Sequence, residues 1–111
     1  MPRISRPVPI TLDKARTLVL DFNAFVAIED VTGDSALSGA FWRGANAKKV
    51  RAALWGALLH ENDKSLTLTR VGDLISEHFT TSDEFNGLID KLIEAWGNAL
   101  PEAPKKEEAP V

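Results

Sequence analysis

Histidine is the side chain best suited to moving protons at neutral pH, and it occurs twice, at His60 and His78. Neither belongs to an H-E-x-x-H pair with zinc-ligand spacing. Orienting His60 as a base would require a carboxylate three or four residues away on its own helix, and none is there. Glu77 directly precedes His78, which puts the two side chains on different helix faces. Cysteine is absent, which excludes thiolate ligands, thiol nucleophiles and disulfides. No G-x-x-x-x-G-K-[ST], G-x-G-x-x-G or G-x-S-x-G run is present to cradle a phosphate or present a nucleophilic serine. The two histidines read as solvated or cap-region groups. The chain is expected to be no enzyme, with no catalytic residue, no metal ligand and no cofactor.

The remaining chemistry is charge and apolar surface. Arg43, Lys48, Lys49 and Arg51 lie in a stretch without an acidic residue between Asp34 and Glu61. From Asp73 to Glu94, six carboxylates face one lysine. Such asymmetry could steer self-association or partner docking, or it could be internal complementarity between neighbouring helices. The formal charge of −3 argues against nucleic acid as the partner. A small nucleic-acid-binding regulator using the four cations is a third-ranked reading, testable by the salt dependence of duplex binding.

These residues must be positioned by one domain, because 111 residues leave no room for two. Hydrophobic residues make up 44% and charged residues 26%, the balance of a soluble globular chain held together by its core. No apolar run approaches the ~20 residues of a membrane span. The basic start at Arg3 and Arg6 has no apolar stretch behind it, so it does not read as a signal peptide. A cytoplasmic location is expected.

The fold class expected is mainly α, with about four helices behind a short N-terminal β-hairpin. Residues 1–7 read as a flexible lead-in, 8–100 as the domain and 101–111 as a disordered tail without apolar payload. Val8–Leu12 and Arg16–Leu20 are apolar or β-branched runs around Asp13-Lys14-Ala15, a hairpin in which Pro9 restricts the first strand to an edge. Asp21 caps a helix running to about Thr32, with Phe22, Phe25, Val26, Ile28 and Glu29 along one side and Gly33 as its left-handed terminator. The Ser35–Gly44 segment reads as a short helix or an ordered loop.

Asn46 caps a second helix to about His60. Val50, Ala53, Leu54, Ala57 and Leu58 form one stripe, Ala52, Trp55 and Leu59 an adjoining face, and Lys49, Gly56 and His60 a narrow polar strip. A helix so apolar is central to the core or offered to a partner, with the core favoured. After a polar connector at Glu61–Ser65, Thr67 caps a third helix to Phe79 that carries Leu68, Val71, Leu74, Ile75 and Phe79. Thr81 and Glu84 form an S/T-x-x-E capping box opening a fourth helix, Ser82–Ala99. Its stripe is Phe85, Leu88, Ile89, Leu92, Ala95, Trp96 and Ala99. Once the stripes are assigned to the core, Phe41, Trp42, Trp55 and Leu59 remain as candidate partner-binding groups, of types suited to anchoring.

Three pieces carry a family resemblance. Pro9–Asp13, Leu20–Phe25 (L-D-F-N-A-F) and Ile28–Gly33 (I-E-D-V-T-G) resemble the opening of the tail assembly chaperones of long-tailed phages and gene transfer agents. Val50–Glu61 resembles that family's central Leu-Trp-Ala-Leu helix with its His-Glu connector, and Leu66–Ile75 resembles the L-T-x-x-x-V-G-x-L-I helix that follows. The likeness spans about residues 8 to 96, and Ser35–Gly44 matches nothing in it. The resemblance implies a non-enzymatic protein of the bacterial host cytoplasm. It would bind the tape measure protein, promote assembly of the tail tube protein around it, and be absent from the finished particle. It also implies a longer form made by ribosomal frameshifting, for which the codons of Lys105-Lys106 are the segment to inspect; a solvated charged tail is the plainer reading. The competing reading is a minor tail or head–tail connector protein retained in the particle.

Overall fold

The computed structural model describes residues 6–37, 39–43 and 46–99, so the tail and most of the lead-in lie outside the described residues. Two short antiparallel strands, β1 (Val8–Thr11) and β2 (Ala15–Leu18), precede four helices, α1 (Phe22–Thr32), α2 (Ala47–Leu58), α3 (Leu68–His78) and α4 (Ser82–Ala99). Single 3₁₀ turns lie at Gly39–Trp42 and Leu59–Glu61. Mainly helical with an N-terminal hairpin is therefore the observed architecture. No helix among the described residues is long and apolar enough to cross a membrane.

The hairpin pairs Val8 with Leu18 and Thr11 with Ala15. Its three-residue loop is Leu12–Lys14, one residue earlier than the polar triplet at 13–15 suggested. Leu12 is buried, so the loop is drawn back by an apolar side chain that the core claims. Val8, Ile10, Arg16 and Leu18 alternate inward, the period-2 pattern of a one-sided sheet. A two-stranded hairpin is marginal alone. Here it lies against α2 and α4, and the Val19 N–H donates to the Ala57 carbonyl.

The helix starts behave as their caps require. Asp21 accepts from the Ala24 N–H, Asn46 from the Lys49 N–H and Thr67 from the Arg70 N–H. At α4 the capping box closes both ways: the Glu84 N–H donates to Thr81 Oγ1, and Glu84 Oε1 accepts from the Thr81 N–H. Glu84 also accepts from the Thr80 N–H and hydroxyl, and these donors, the backbone one foremost, hold its carboxyl below the usual range. Gly33 ends α1 with φ +77°, its N–H returning to Glu29 O.

Helix α2 is the hub, touching α1, α3, α4 and β2. Val50, Ala52, Ala53, Leu54, Ala57 and Leu58 are all buried. Two expectations about faces are corrected. Gly56 belongs to no polar strip: it is buried where α1 crosses, and a Cβ there would lie 2.6 Å from the Ile28 side chain. That close approach also turns α1, which buries Ala24, Phe25 and Ile28 while Phe22 is 68% and Val26 43% exposed. The buried arc is thus rotated from the one that Phe22, Phe25 and Val26 define. The small residues at the crossing, not the largest apolar ones, select the face. Helix α2 also stops two residues short, tightening into the 3₁₀ turn that Asn62 ends at φ 56°, a left-handed conformation asparagine tolerates.

Candidate functional site

Arg16, buried on β2, organises the surface nearest the end of α2. Its guanidinium makes a two-pronged contact with Asp13 at 2.8 and 2.9 Å, and further bonds to Glu61 at 2.7 Å and Asp63 at 3.2 Å. A buried guanidinium must be fully paired, and three partly exposed carboxylates do so here while keeping some solvation of their own. Hydrogen bonding from Arg16 holds the Asp13 carboxyl down at about 2. Asp63 is also held below its ordinary value, first by the Ser65 hydroxyl and N–H and then by Arg16. The Arg16 guanidinium is raised further, chiefly by Asp13. Glu61 accepts the Thr17 N–H as well, so the connector between α2 and α3 is fastened to the hairpin.

His60 adds a second fastening. Its Nδ1–H donates to the Ala57 carbonyl at 3.0 Å, which leaves Nε2 to accept from the Thr17 hydroxyl at 3.0 Å. The ring is thereby used in joining α2 to β2. His78 lies in the last turn of α3. No group of three or more His, Cys, Asp or Glu side chains among the described residues is placed to hold a metal ion.

The fastened connector forms one wall of a hollow of about 290 Å³, with Trp55, Leu58, Leu59 and Leu66 supplying its apolar surface and Asp63 and Lys64 its rim. Leu59 is 39% exposed and Trp55 half-buried. On its other side Leu59 borders a second hollow, about 150 Å³, reaching to Asn23 and Ala24 of α1 and to Gly56. Trp55 and Leu59, one helical turn apart, therefore form an apolar ridge that ends between two depressions. Such relief, a ridge beside grooves, has the form that helix-on-helix packing uses.

The other two candidates lie elsewhere. Phe41 is 2% exposed and stacks on Trp96 at 4.7 Å between ring centroids. Its assignment as a partner anchor is corrected: the ring is spent on the core and has no surface to give. Trp42 is half-buried and packs edge-on to both Phe41 and Trp96. The Trp96 indole N–H donates to the Ala36 carbonyl at 2.8 Å, tying the segment before the 3₁₀ turn to α4. Phe25 completes this aromatic cluster, edge-on to Trp96 at 5.1 Å. Lys49 closes it from above, its Nζ donating to Phe41 O and lying 5.1 Å from the ring centroid.

The four sequence candidates thus fall into two pairs, and Trp55 and Leu59 line the hollow beside the connector. Sequence reasoning missed Phe22 and Val26, whose i,i+4 spacing read as core, and it missed Arg16 as the organiser of the connector. The signal for Arg16 was a single cation at an inward position of an alternating strand. No protein-family model matches this chain, and comparison with curated proteins and with solved structures finds no significant match.

Proposed function

We propose that this chain is a tail assembly chaperone of the phage or gene-transfer-agent type, binding the tape measure protein in the host cytoplasm and leaving before the particle is finished. The observation that carries this reading is the Trp55–Leu59 ridge: large apolar groups set beside shaped hollows, Leu59 exposed and Trp55 packed on the core by one side only. A long helical client exposes apolar stripes that would aggregate, and a ridge flanked by depressions can cover one in helix-on-helix fashion. Burying what remains exposed of these two side chains contributes about 1 kcal/mol each. That is weak for one copy, but many copies along one client add avidity, and weak single contacts allow release when the tail tube replaces them. The family resemblance of the sequence supplies the identity of the client, and the tail tube protein as a second partner.

Co-expression with the tape measure protein tests the reading. The client should become soluble and co-purify, and Trp55→Ala with Leu59→Ala should abolish both while the circular dichroism still shows a folded helical chain, with a lowered melting transition because one side of the Trp55 ring packs on the core. Mass spectrometry of purified particles should find the chain missing; a stoichiometric presence would establish the connector protein instead. A client that is equally soluble with the doubly substituted chain would overturn the proposed surface.

A further inference from the structure

Helix α1 has an outer face that its own fold leaves uncovered. Ala24, Phe25 and Ile28 turn to the core. Phe22, Val26, Glu29 and Asp30 occupy a separate arc of about 100° around the helix. Phe22, Val26 and Leu37 are three of the five large apolar side chains that are well exposed among the described residues. The Ala36 N–H donates to Glu29 Oε2 at 2.8 Å, which keeps neighbouring Leu37 close to the last turns of α1. Single exposed apolar residues are ordinary, but an i, i+4 pair with a third beside it forms a continuous ridge.

The charges around this ridge have one sign. Between Arg16 and Arg43 the chain carries Asp21, Glu29, Asp30 and Asp34 and no lysine or arginine. None of the four forms an ion pair among the described residues. Glu29 and Asp30 stand in the last turn of α1, which holds no basic residue, and Asp34 follows it. Carboxylates there meet the negative end of the helix dipole, so their placement costs stability in the isolated chain. A cation brought by a partner relieves that cost. The ridge supplies apolar contact, and the carboxylates select the sign of what lies beside it.

We infer that this face receives a helix of another protein, one with apolar residues at i, i+4 spacing flanked by lysine or arginine, laid along Phe22 and Val26. A ridge of i, i+4 side chains packs into the groove between the same ridges of a second helix, which is why the occupant is helical. Nucleic acid and anionic lipid are repelled by the carboxylates. The Leu59 hollow meets α1 at Asn23 and Ala24, about 60° or more around the helix from Phe22 and Val26. This surface is therefore separate from Trp55 and Leu59, and its occupant does not rest on the tape measure reading.

Two synthetic helical peptides of one design, leucines at i, i+4 spacing flanked by lysines in one and by glutamates in the other, test it by NMR titration of the isotope-labelled full chain. The lysine peptide should shift the amides of α1 and Leu37 and bind about tenfold or more tightly than the glutamate peptide, the difference shrinking as salt rises. Asp30→Lys with Asp34→Lys should reverse that preference. Phe22→Ser with Val26→Ser should remove binding of both peptides while the circular dichroism is unchanged. Asp90→Lys with Glu94→Lys makes the same change of net charge on α4 and should leave affinity for the lysine peptide within about twofold. An equal loss there shows attraction to net charge alone and overturns the inference. So do shifts centred on Trp55 and Leu59, or no preference between the two peptides. The charge variants lie at exposed positions, so the test survives if the serine pair unfolds the domain. Sedimentation showing that the unmodified chain self-associates and the serine pair does not gives the face to a second copy, which overturns it as well.

Discussion

Around Trp96, four aromatic rings satisfy one another; around Trp55, a single indole lies beside a hollow. The first cluster joins Phe25, Phe41, Trp42 and Trp96 through one stacked and three edge-on contacts, with the indole N–H of Trp96 bonded to a backbone carbonyl. At the second, Trp55 meets Leu58, Leu59 and Leu66 and a polar rim, and one side stays open. Both tryptophans occupy apolar stretches of helix. The difference is what each ring meets: the segment before α2 folds over α4 and fills the space around Trp96, whereas the connector after α2 is held away by Arg16 and leaves space beside Trp55. An aromatic residue becomes an anchor or a core member according to its neighbours, not its type.

Removing the ring at the closed end should do the most damage. Trp96→Ala should cost about 3–5 kcal/mol in a denaturant titration, through a cavity and an orphaned Ala36 carbonyl. Equal stability of the variant would mean that the aromatic cluster is not core. Next comes the device that holds the other end open. Arg16→Met should cost about 2–3 kcal/mol, because Asp13, Glu61 and Asp63 then face one another uncompensated. It should also weaken capture of the proposed client by freeing the wall of the Trp55 hollow.

The same network sets an acid limit. The Asp13 carboxyl titrates at about 2 in the folded protein against 3.8 unfolded, and Asp63 is shifted the same way. A depressed carboxyl contributes stability above its unfolded value and loses it as pH falls towards its folded one. Stability should therefore decline between about pH 4 and pH 2, and the slope should flatten in Arg16→Met. An unchanged slope would place the acid sensitivity elsewhere.

A smaller loss is expected at the helix crossing. Gly56→Ala forces α1 off α2 by way of Ile28 and should cost about 1–3 kcal/mol. The smallest effect on stability, below about 1 kcal/mol, is expected for Leu59→Ala, which is exposed. That variant sharpens the contrast most, since solubility of the proposed client should fall while the melting temperature hardly moves.

Much of this was legible without a structure. The caps at Asp21, Asn46, Thr67 and Thr81, the terminator at Gly33 and the extent of α4 depend on bonds between residues a few positions apart, so the local sequence contains both partners. The stripes of α3 and α4 were legible for the same reason, periodicity being a property of one helix. The site was half legible. Trp55 and Leu59 stood out as surplus to a stripe, but Phe41 stood out equally and is core.

By itself, then, the sequence determined a cysteine-free, mainly helical domain with a hairpin, the position of nearly every helix end, and a surplus of large apolar residues. The tertiary structure decided which of those residues the surplus is. It rotated α1 so that Phe22 is outside, brought Phe41 onto Trp96, and set Arg16 among carboxylates as many as 47 residues away. Each of these depends on a partner far along the chain, and a helix face has no inside until another element closes over it.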